Sequence, residues 1–422
     1  MKIAHLSDIH ACSRGIDEVC KVFDYAVDVC IAREIDVMVI AGDLWDRTID
    51  VTDKSALYPI MRIMQKAASR FPILLVYGTL SHDQPGSLDV FVEMDTKYPI
   101  YVSKEAEIVR YVGKKAEVEG KGSVMYRLSD ETIGRVLTEE GLSMEDGGGC
   151  LFYTMPGVKK SSVVRELIER GMSGNDSEIG DFLRSIVRAY GVIGEEIGHG
   201  IPKIFVGHIT VAGSSLGNGQ VLIGADVEIS KGDLLMANAD YYALGHIHNH
   251  EQPALPENMK YCGGLWHTDF GSIGEKGFWL VEFGRQADVG SADVLARVEW
   301  IRVPAVPVVT HDVMLINGEN PYHLEKACEG EAKARYRYYV NPSDNRVIDK
   351  ARVMALLVKM YGEHRHKIER HVVPVERSRV DDHDWHGACL RDKVKMWGVA
   401  MKRDVSEGVL EKADAVEQEI GL

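Results

Sequence analysis

The sequence predicts an α/β protein built in layers, and three features carry that expectation. Apolar, strand-like runs alternate with segments of helical periodicity over the first eighty residues. Runs of this kind read as buried strands of an α/β sheet. They recur later in the chain, and each delivers a metal-type ligand just past its carboxyl end, where ligands of such sheets bind. At 422 residues the chain also has room for two or three domains and a sizeable core.

Taken in order, Lys2 to Ser7 is a short strand ending at Asp8-Ile9-His10. Ile16 to Arg33 carries Val19, Val22, Phe23, Ala26, Val27 and Cys30 at helical spacing, as a crossover helix would. Asp36-Val-Met-Val-Ile-Ala-Gly42 is a second strand that stops at Asp43, with Asp46 one turn further on. Asp53 to Ser69 is a second amphipathic helix, and Pro72 to Tyr77 a third strand leading into Gly78-Thr-Leu-Ser81-His82-Asp83. Between about Ser103 and Gly200 the reading gives turns at Gly120-Lys-Gly122 and Gly147-Gly-Gly149, and helices over Ser161–Arg170 and Ser177–Tyr190. Strands return at Pro202 to His208 and at Asp240 to His246-Ile-His248. Lys260 to Leu265 and Lys276 to Phe283 read as hairpin-forming strands that finish the sheet.

The polar stretch Gln286 to Asp293 marks the edge of the first domain. The expected division is therefore 1–285, a smaller α+β unit over 295–388, and a helical tail over 389–422. The α+β unit starts with a strand near Val298 and holds Arg335 to Val340 as a strand and Asp349 to Tyr361 as a helix. In the tail Val394, Trp397, Met401, Val405, Val409, Ala413, Val416 and Ile420 draw an apolar stripe along one or two helices.

Composition narrows the classes. No run approaches the ~20 apolar residues of a membrane span, so no membrane association is expected. Asp8 and His10 lie where a cleavable signal would be. The seven cysteines are scattered with no C-x-x-C pair, as in reduced thiols of a cytoplasmic protein. The net charge is −15, yet Glu331 to Arg403 holds 17 Lys and Arg against 10 Asp and Glu. A basic region on an acidic body suits a polyanionic substrate.

Collected, the strand-end residues are Asp8, His10, Asp43, Ser81, His82, His208, His246 and His248. Carboxylate and imidazole without thiolate suit manganese, iron or zinc rather than a structural zinc site. Two adjacent cations need a bridging ligand, and a carboxylate can serve; Asp43 is the natural bridge.

The order Asp8-x-His10, Gly42-Asp43-x-x-Asp46-Arg47, Ser81-His82-Asp83, Gly207-His208 and Gly245-His246-x-His248 resembles the calcineurin-like metallophosphoesterases. Gly42-Asp-Leu-Trp-Asp-Arg47, Gly207-His-Ile-Thr-Val-Ala-Gly213, Tyr261-Cys-Gly-Gly-Leu, Asp269-Phe-Gly and Glu275-Lys-Gly-Phe look like the SbcD-type DNA-repair nucleases within them. The resemblance covers the first 285 residues or so and implies a metallophosphoesterase sandwich of sheets flanked by helices, with a capping domain and C-terminal helices. It also implies two divalent metals, most often manganese. Asp8, His10 and His248 would hold one, His208 and His246 the other, and Asp43 would bridge. His82 would serve the leaving oxygen as acid, oriented by Asp46. Where the family has a ligating Asn, this chain has Ser81, so Ser81, Thr79 or water fills that place.

The activity so implied is exonuclease action on double-stranded DNA ends and endonuclease action on single strands, in DNA repair or recombination. Two other functions stay open: a phosphoesterase on small nucleotides or phosphoproteins, and a weakly active scaffold for an ATPase. The resemblance implies an ABC-type ATPase partner on the C-terminal helices. It further implies a homodimer through helices around Leu57–Met64 and Leu88–Met94. Arg335, Arg337, Lys350, Arg352, Arg365, Lys367 and Arg370 are either phosphate contacts or a solvated face. His364-Arg-His366 with His371, and the cluster Asp381 to His386, read as solvated surface.

Overall fold

The computed structural model describes the chain apart from residues 48–53, 114–122, 130–148, 158–159, 198–199, 216–226, 272–273, 286–293, 343, 345–346, 374–387, 401–402 and 421–422. The cluster Asp381 to His386 and the expected edge at Gln286 to Asp293 lie outside the described residues.

The chain divides into two compact units, Met1–Val309 with Gly330–Lys333, and Thr310–Glu329 with Ala334–Leu422. In the first, strands β1 (Lys2–Leu6), β2 (Val37–Ala41), β3 (Ile73–Val76) and β4 (Ile100–Ser103) follow one another with helices α1 (Ile16–Ala32) and α2 (Lys54–Ala68) between them. Further on come β5 (Glu107–Val112), β6 (Val124–Arg127), β7 (Gly149–Met155), α3 (Lys160–Glu169), α4 (Asp176–Ile197) and β8 (Lys203–His208). The short strands β9 (Thr210–Val211) and β10 (Glu228–Ile229) precede α5 (Lys231–Leu235), β11 (Tyr241–Gly245), β12 (Met259–Tyr261), β13 (Gly277–Arg285) and β14 (Val294–Arg302).

These strands form two six-stranded sheets, β14-β13-β1-β2-β3-β4 and β12-β11-β8-β7-β5-β6. Each has a parallel block flanked by antiparallel strands: β13 and β14 in one, β5 and β6 in the other. Alternation along β2 explains the layering. Val37, Val39 and Ala41 pack with Phe152, Ile204, Val206 and Tyr241 of the second sheet. Met38 and Ile40 point the other way, into a cluster with Val22, Phe23, Ile60 and Met64 of α1 and α2. On the far face of the second sheet Tyr153 and Phe205 pack with Val187, Tyr190 and Ile197 of α4. The result is a helix–sheet–sheet–helix sandwich, as expected for the fold class.

Three expectations need correction. The segment from Ser103 to Gly200 is not only turns and helices, because β5, β6 and β7 lie within it. β12 and β13 do not form a hairpin: β12 pairs with β11 in one sheet and β13 with β1 and β14 in the other. The first unit does not end near 285, because β14 pairs with β13 from Gly277–Arg302 to Arg285–Val294 and so completes the first sheet.

Strands β15 (Val308–Met314), β16 (Lys333–Val340) and β17 (Lys367–Val372), which apart from Val308, Val309 and Lys333 belong to the second unit, make a three-stranded sheet in that order. Helix α6 (Lys350–Tyr361) begins at Asp349, whose carboxylate accepts from the Arg352 amide at 3.1 Å. The tail forms two helices, α7 (Leu390–Ala400) and α8 (Glu407–Ile420). Arg391 ties them together through Asp414 and Glu407. Among the described residues no helix is long and apolar enough to cross a membrane.

Candidate metal centre

The loops after β1 and β2 extend the sheet by a few more hydrogen bonds. The amides of Asp8, His10 and Ala11 donate to the carbonyls of Gly42, Asp43 and Leu44 at 3.0, 3.0 and 2.8 Å. This ladder is bought with backbone strain. Asp8, His10, Asp43 and His246 all have positive φ, at 51°, 45°, 51° and 93°. Left-handed conformations cost non-glycine residues about 1–3 kcal/mol each and gather where function demands them. Gly42, at φ 87°, is needed for room as well, since a Cβ there would lie 2.3 Å from His208 Nδ1. At Gly245 a Cβ would lie 2.0 Å from the Ala41 carbonyl oxygen. The ends of β2 and β11 therefore touch, which brings the ligand-type residues of both sheets into one place.

They gather in two adjoining groups, Asp8 with His10 and His248, and Asp43 with His208 and His246, the offered atoms of each within 4.8 Å of one another. In the first, His10 Nε2 lies 2.9 Å from His248 Nε2, and His248 Nε2 lies 3.5 Å from Asp8 Oδ1. In the second, His208 Nε2 lies 3.2 Å from Asp43 Oδ2. Asp43 Oδ2 is also 3.8 Å from His10 Nε2 and 4.0 Å from His82 Nε2, so it stands between the groups. Asp8 accepts from the His246 amide at 3.0 Å and from the Ser7 hydroxyl.

These residues fit a pair of divalent cations. A carbonyl only accepts, so His208 Nδ1, 2.8 Å from the Ala41 carbonyl, carries a proton. In the neutral ring this leaves Nε2 with its lone pair toward a carboxylate, the arrangement that ligating histidines use. The His10–His248 contact brings two ring nitrogens to 2.9 Å, an N–H···N hydrogen bond in one choice of tautomers and a pair of converging lone pairs for a cation in the other. His10 Nδ1 is buried without a hydrogen-bond partner. Cysteine is absent from both groups, and oxygen with imidazole suits manganese, iron or zinc.

The electrostatics agree. Burial would push Asp8 up, but the neighbouring His248, His208 and His10 hold it below the usual carboxylate range. For Asp43 burial likewise works upward and His208 overcomes it, holding the carboxyl low. Burial opposes a charge on His208, yet Asp43 pulls it well above its ordinary value, to about 10. Burial and the neighbouring His248 push His10 down to about 3.

The expected hydroxyl ligand and acid dyad look different in detail. Ser81 is exposed. Thr79 instead has its Oγ1 3.3 Å from Asp43 Oδ2 and 3.2 Å from His208 Nε2, while its amide donates to Asp43 Oδ1 at 2.6 Å. His82 Nδ1 donates to the main-chain carbonyl of Asp46 at 2.5 Å, not to its carboxylate. The Asp46 carboxylate lies 3.9 Å from His10 Nδ1, and His10, Asp46 and His82 form a third close group.

Sequence reading missed the residues that hold these loops. Asp83, buried, accepts from the amides of Gly78, Trp45 and Leu44 at 2.9, 3.1 and 3.3 Å. Burial and the charge of Asp43 push its carboxyl up to about 6. The Trp266 indole donates to the Ile9 carbonyl at 2.9 Å. A carboxylate next to the His82 motif was a usable signal for the first. Nothing in the sequence pattern marked Trp266.

The basic residues of the second unit are largely engaged. Arg335 pairs with Glu369, Arg337 with Asp312, and Lys367 with Glu369, while Arg370 donates to the Asp344 carbonyl.

Residues 1–250 match the family model described as calcineurin-like phosphoesterase. Among solved structures the chain is similar to GAP50, the anchor in the inner membrane complex of Plasmodium. The two are 13% identical, with 72% of this chain and 89% of that chain covered and a TM-score of 0.38.

Proposed function

The chain belongs to the calcineurin-like phosphoesterase family, and on that premise we propose that this metal-dependent phosphoester hydrolase is a DNA nuclease of the SbcD type. Asp43 carries the proposal, because its Oδ2 lies within 4.0 Å of imidazoles from both groups and of His82. Two divalent cations, manganese first among them, supply charge neutralisation at the phosphoryl oxygens and activation of water when bound. Asp8, His10 and His248 would hold one of them. His208, His246 and Thr79 or Ser81 would hold the other, with Asp43 available to both. His82, steered by the Asp46 carbonyl, gives a proton from Nε2 to the departing 3′ oxygen.

The DNA assignment draws its support from the nuclease-like motifs Gly42 to Arg47, Gly207 to Gly213 and Glu275-Lys-Gly-Phe. Exonuclease cutting of duplex ends and endonuclease cutting of single strands are the activities to look for. Phosphate contact by the basic residues of the second unit belongs to the same proposal, and Arg352 and Arg365 are exposed among them. An ABC-type ATPase would dock on α7 and α8, where Trp397, Val399, Val409 and Val416 stay exposed. A homodimer would use exposed Tyr58 on α2 and Val92 beside the 3₁₀ turn Asp89–Phe91.

Purified protein with manganese, assayed on linear duplex DNA and on a cyclic nucleotide, separates the choices. Cleavage of duplex DNA supports the nuclease. Hydrolysis of the cyclic nucleotide alone would overturn it in favour of a small-nucleotide phosphoesterase.

A further inference from the structure

Lys276 sits just before β13, on the sheet opposite to the one that carries His248, and is 3% exposed. Its ammonium donates to the carbonyl of His248 at 3.0 Å and to that of Gly263 at 2.7 Å. Among the described residues no carboxylate pairs with it. The flanking Glu275 turns outward to Arg302 at 3.0 Å. A buried ammonium satisfied by carbonyls alone is an expensive way to fill space, and an apolar side chain would pack there at lower cost.

Both carbonyls belong to segments that close over the first ligand group. His248 is itself one of that group. Gly263 and Gly264, at φ 78° and 82°, run so close to it that a Cβ on Gly264 would lie 3.0 Å from the Asp8 carbonyl oxygen. The root of Lys276 is firm, since its own carbonyl accepts from the Val303 amide at 2.9 Å at the end of the β13–β14 ladder. Lys276 thus links a rigid strand of one sheet to the loops after β11 and β12 of the other.

We propose that Lys276 is a positioning residue, which fixes the His248 loop so that the imidazole meets His10 and Asp8 around one divalent cation. It rests on the metal-dependent reading above and extends it to a residue that touches neither metal nor substrate.

Sign separates this role from a purely electrostatic one. A nearby positive charge repels a cation, so an ammonium acting only as a charge would weaken binding, and its removal would tighten it. An ammonium acting as a brace makes removal weaken binding. Changes to groups that orient metal ligands typically reduce metal affinity about 10- to 100-fold.

The experiment is manganese titration of the full chain by calorimetry and by EPR of the free ion. Wild type, Lys276→Met, His248→Ala and the double variant are compared. The wild type should bind two ions. Lys276→Met should weaken one of them about 10- to 100-fold, and should add little to His248→Ala, since both act through one ligand. Unchanged or tighter binding in Lys276→Met, or a loss that adds in full to that of His248→Ala, would overturn the proposal. If Lys276→Met does not fold, Lys276→Gln, whose donor sits on a side chain one bond shorter and can restore the brace only in part, should weaken the same ion by less and still add little to His248→Ala; tighter binding, or a loss that adds in full, would overturn the proposal. A wild type that binds no manganese would instead sink the metal-dependent reading itself, which keeps the two failures distinct.

Discussion

A carboxylate oxygen that faces imidazoles from both ligand groups is hard to replace. Asp43→Ala should therefore cost both ions and not one, which metal analysis of the purified variant would show. His82 stands apart from this. Its replacement by Ala should leave two bound ions but lower kcat on DNA by about 10²- to 10⁴-fold, the usual span for a lost general acid. The deficit should shrink on a bis(p-nitrophenyl) phosphate substrate, whose leaving group needs no proton, and an equal loss on both would contradict the role. For the hydroxyl position, Thr79→Ala should weaken the second ion while Ser81→Ala leaves it alone. Equilibrium dialysis with manganese distinguishes them. The proton that Asp43 keeps on His208 gives a pH dependence of known sign. Without metal, His208 titrates above its ordinary 6.5, near 10, so the pair stabilises the fold below pH 6.5 and loses that contribution as pH rises toward 10. A bound cation must displace this proton. Manganese should then raise the melting temperature more at pH 8 than at pH 6, with proton release detectable by calorimetry in buffers of different ionisation enthalpy. The ligand-type residues were legible because Asp43, His208 and His246 each directly follow or close a buried strand at a glycine: Gly42, Gly207 and Gly245. Thr79 follows Gly78 in the same way, and that parallel favours it over Ser81. Lys276 and Trp266 were not legible in their roles, since each acts through a carbonyl far away in sequence.

Strands and loops set how tightly these side chains converge. Because a Cβ on Gly245 would lie 2.0 Å from the Ala41 carbonyl oxygen, Gly245→Ala should push the ends of β2 and β11 apart. Loss of stability of about 1–3 kcal/mol in urea titration should come together with weakened metal binding, whereas a purely local clash would spare the metal. The parallel strands β1, β2, β3, β8 and β11 were readable as apolar runs because both their faces are covered. β5 was not, since Glu107 and Arg110 interrupt it and read as surface. Both are in fact buried, with the Arg110 guanidinium donating to the Cys150 carbonyl at 3.2 Å. β7, buried along its whole length, follows a glycine run that reads as a turn. The hairpin assigned to β12 and β13 failed for a different reason: strand character does not reveal which of two sheets a strand enters.

At the scale of the molecule, the boundary between units does not fall where composition changes. The polar stretch at 286–293 suggested an end to the first unit, but β14 beyond it is the outermost strand of the first sheet. The first unit also takes back Gly330–Lys333 after the chain has left it. Lys333 pairs with Glu18 at 2.7 Å, donates to the His267 carbonyl at 2.7 Å and lies 4.5 Å from the centre of the Trp266 ring. A chain ended at Val309 should therefore melt at a lower temperature than the full protein, and Lys333→Met in the full protein should reproduce part of that loss. Breaking one partner of a fully buried pair costs about 3–5 kcal/mol; Glu18 is 14% exposed and keeps the Val306 amide at 3.3 Å, so the loss here is smaller than that and is read as a lowered melting temperature.

That returning segment also bears on synthesis. Growing from its amino end, the chain emerges from the ribosome with both sheets available by residue 309, yet the partner of Glu18 arrives only after the excursion through Thr310–Glu329. At about 5–20 residues per second the nascent unit waits one to a few seconds with the half-buried Glu18 carboxylate held by the Val306 amide but without its ammonium partner. The indole that steadies Ile9, between Asp8 and His10, gains its cationic neighbour last. Nascent chains should thus acquire protease resistance in two steps, the second after residue 333 clears the tunnel.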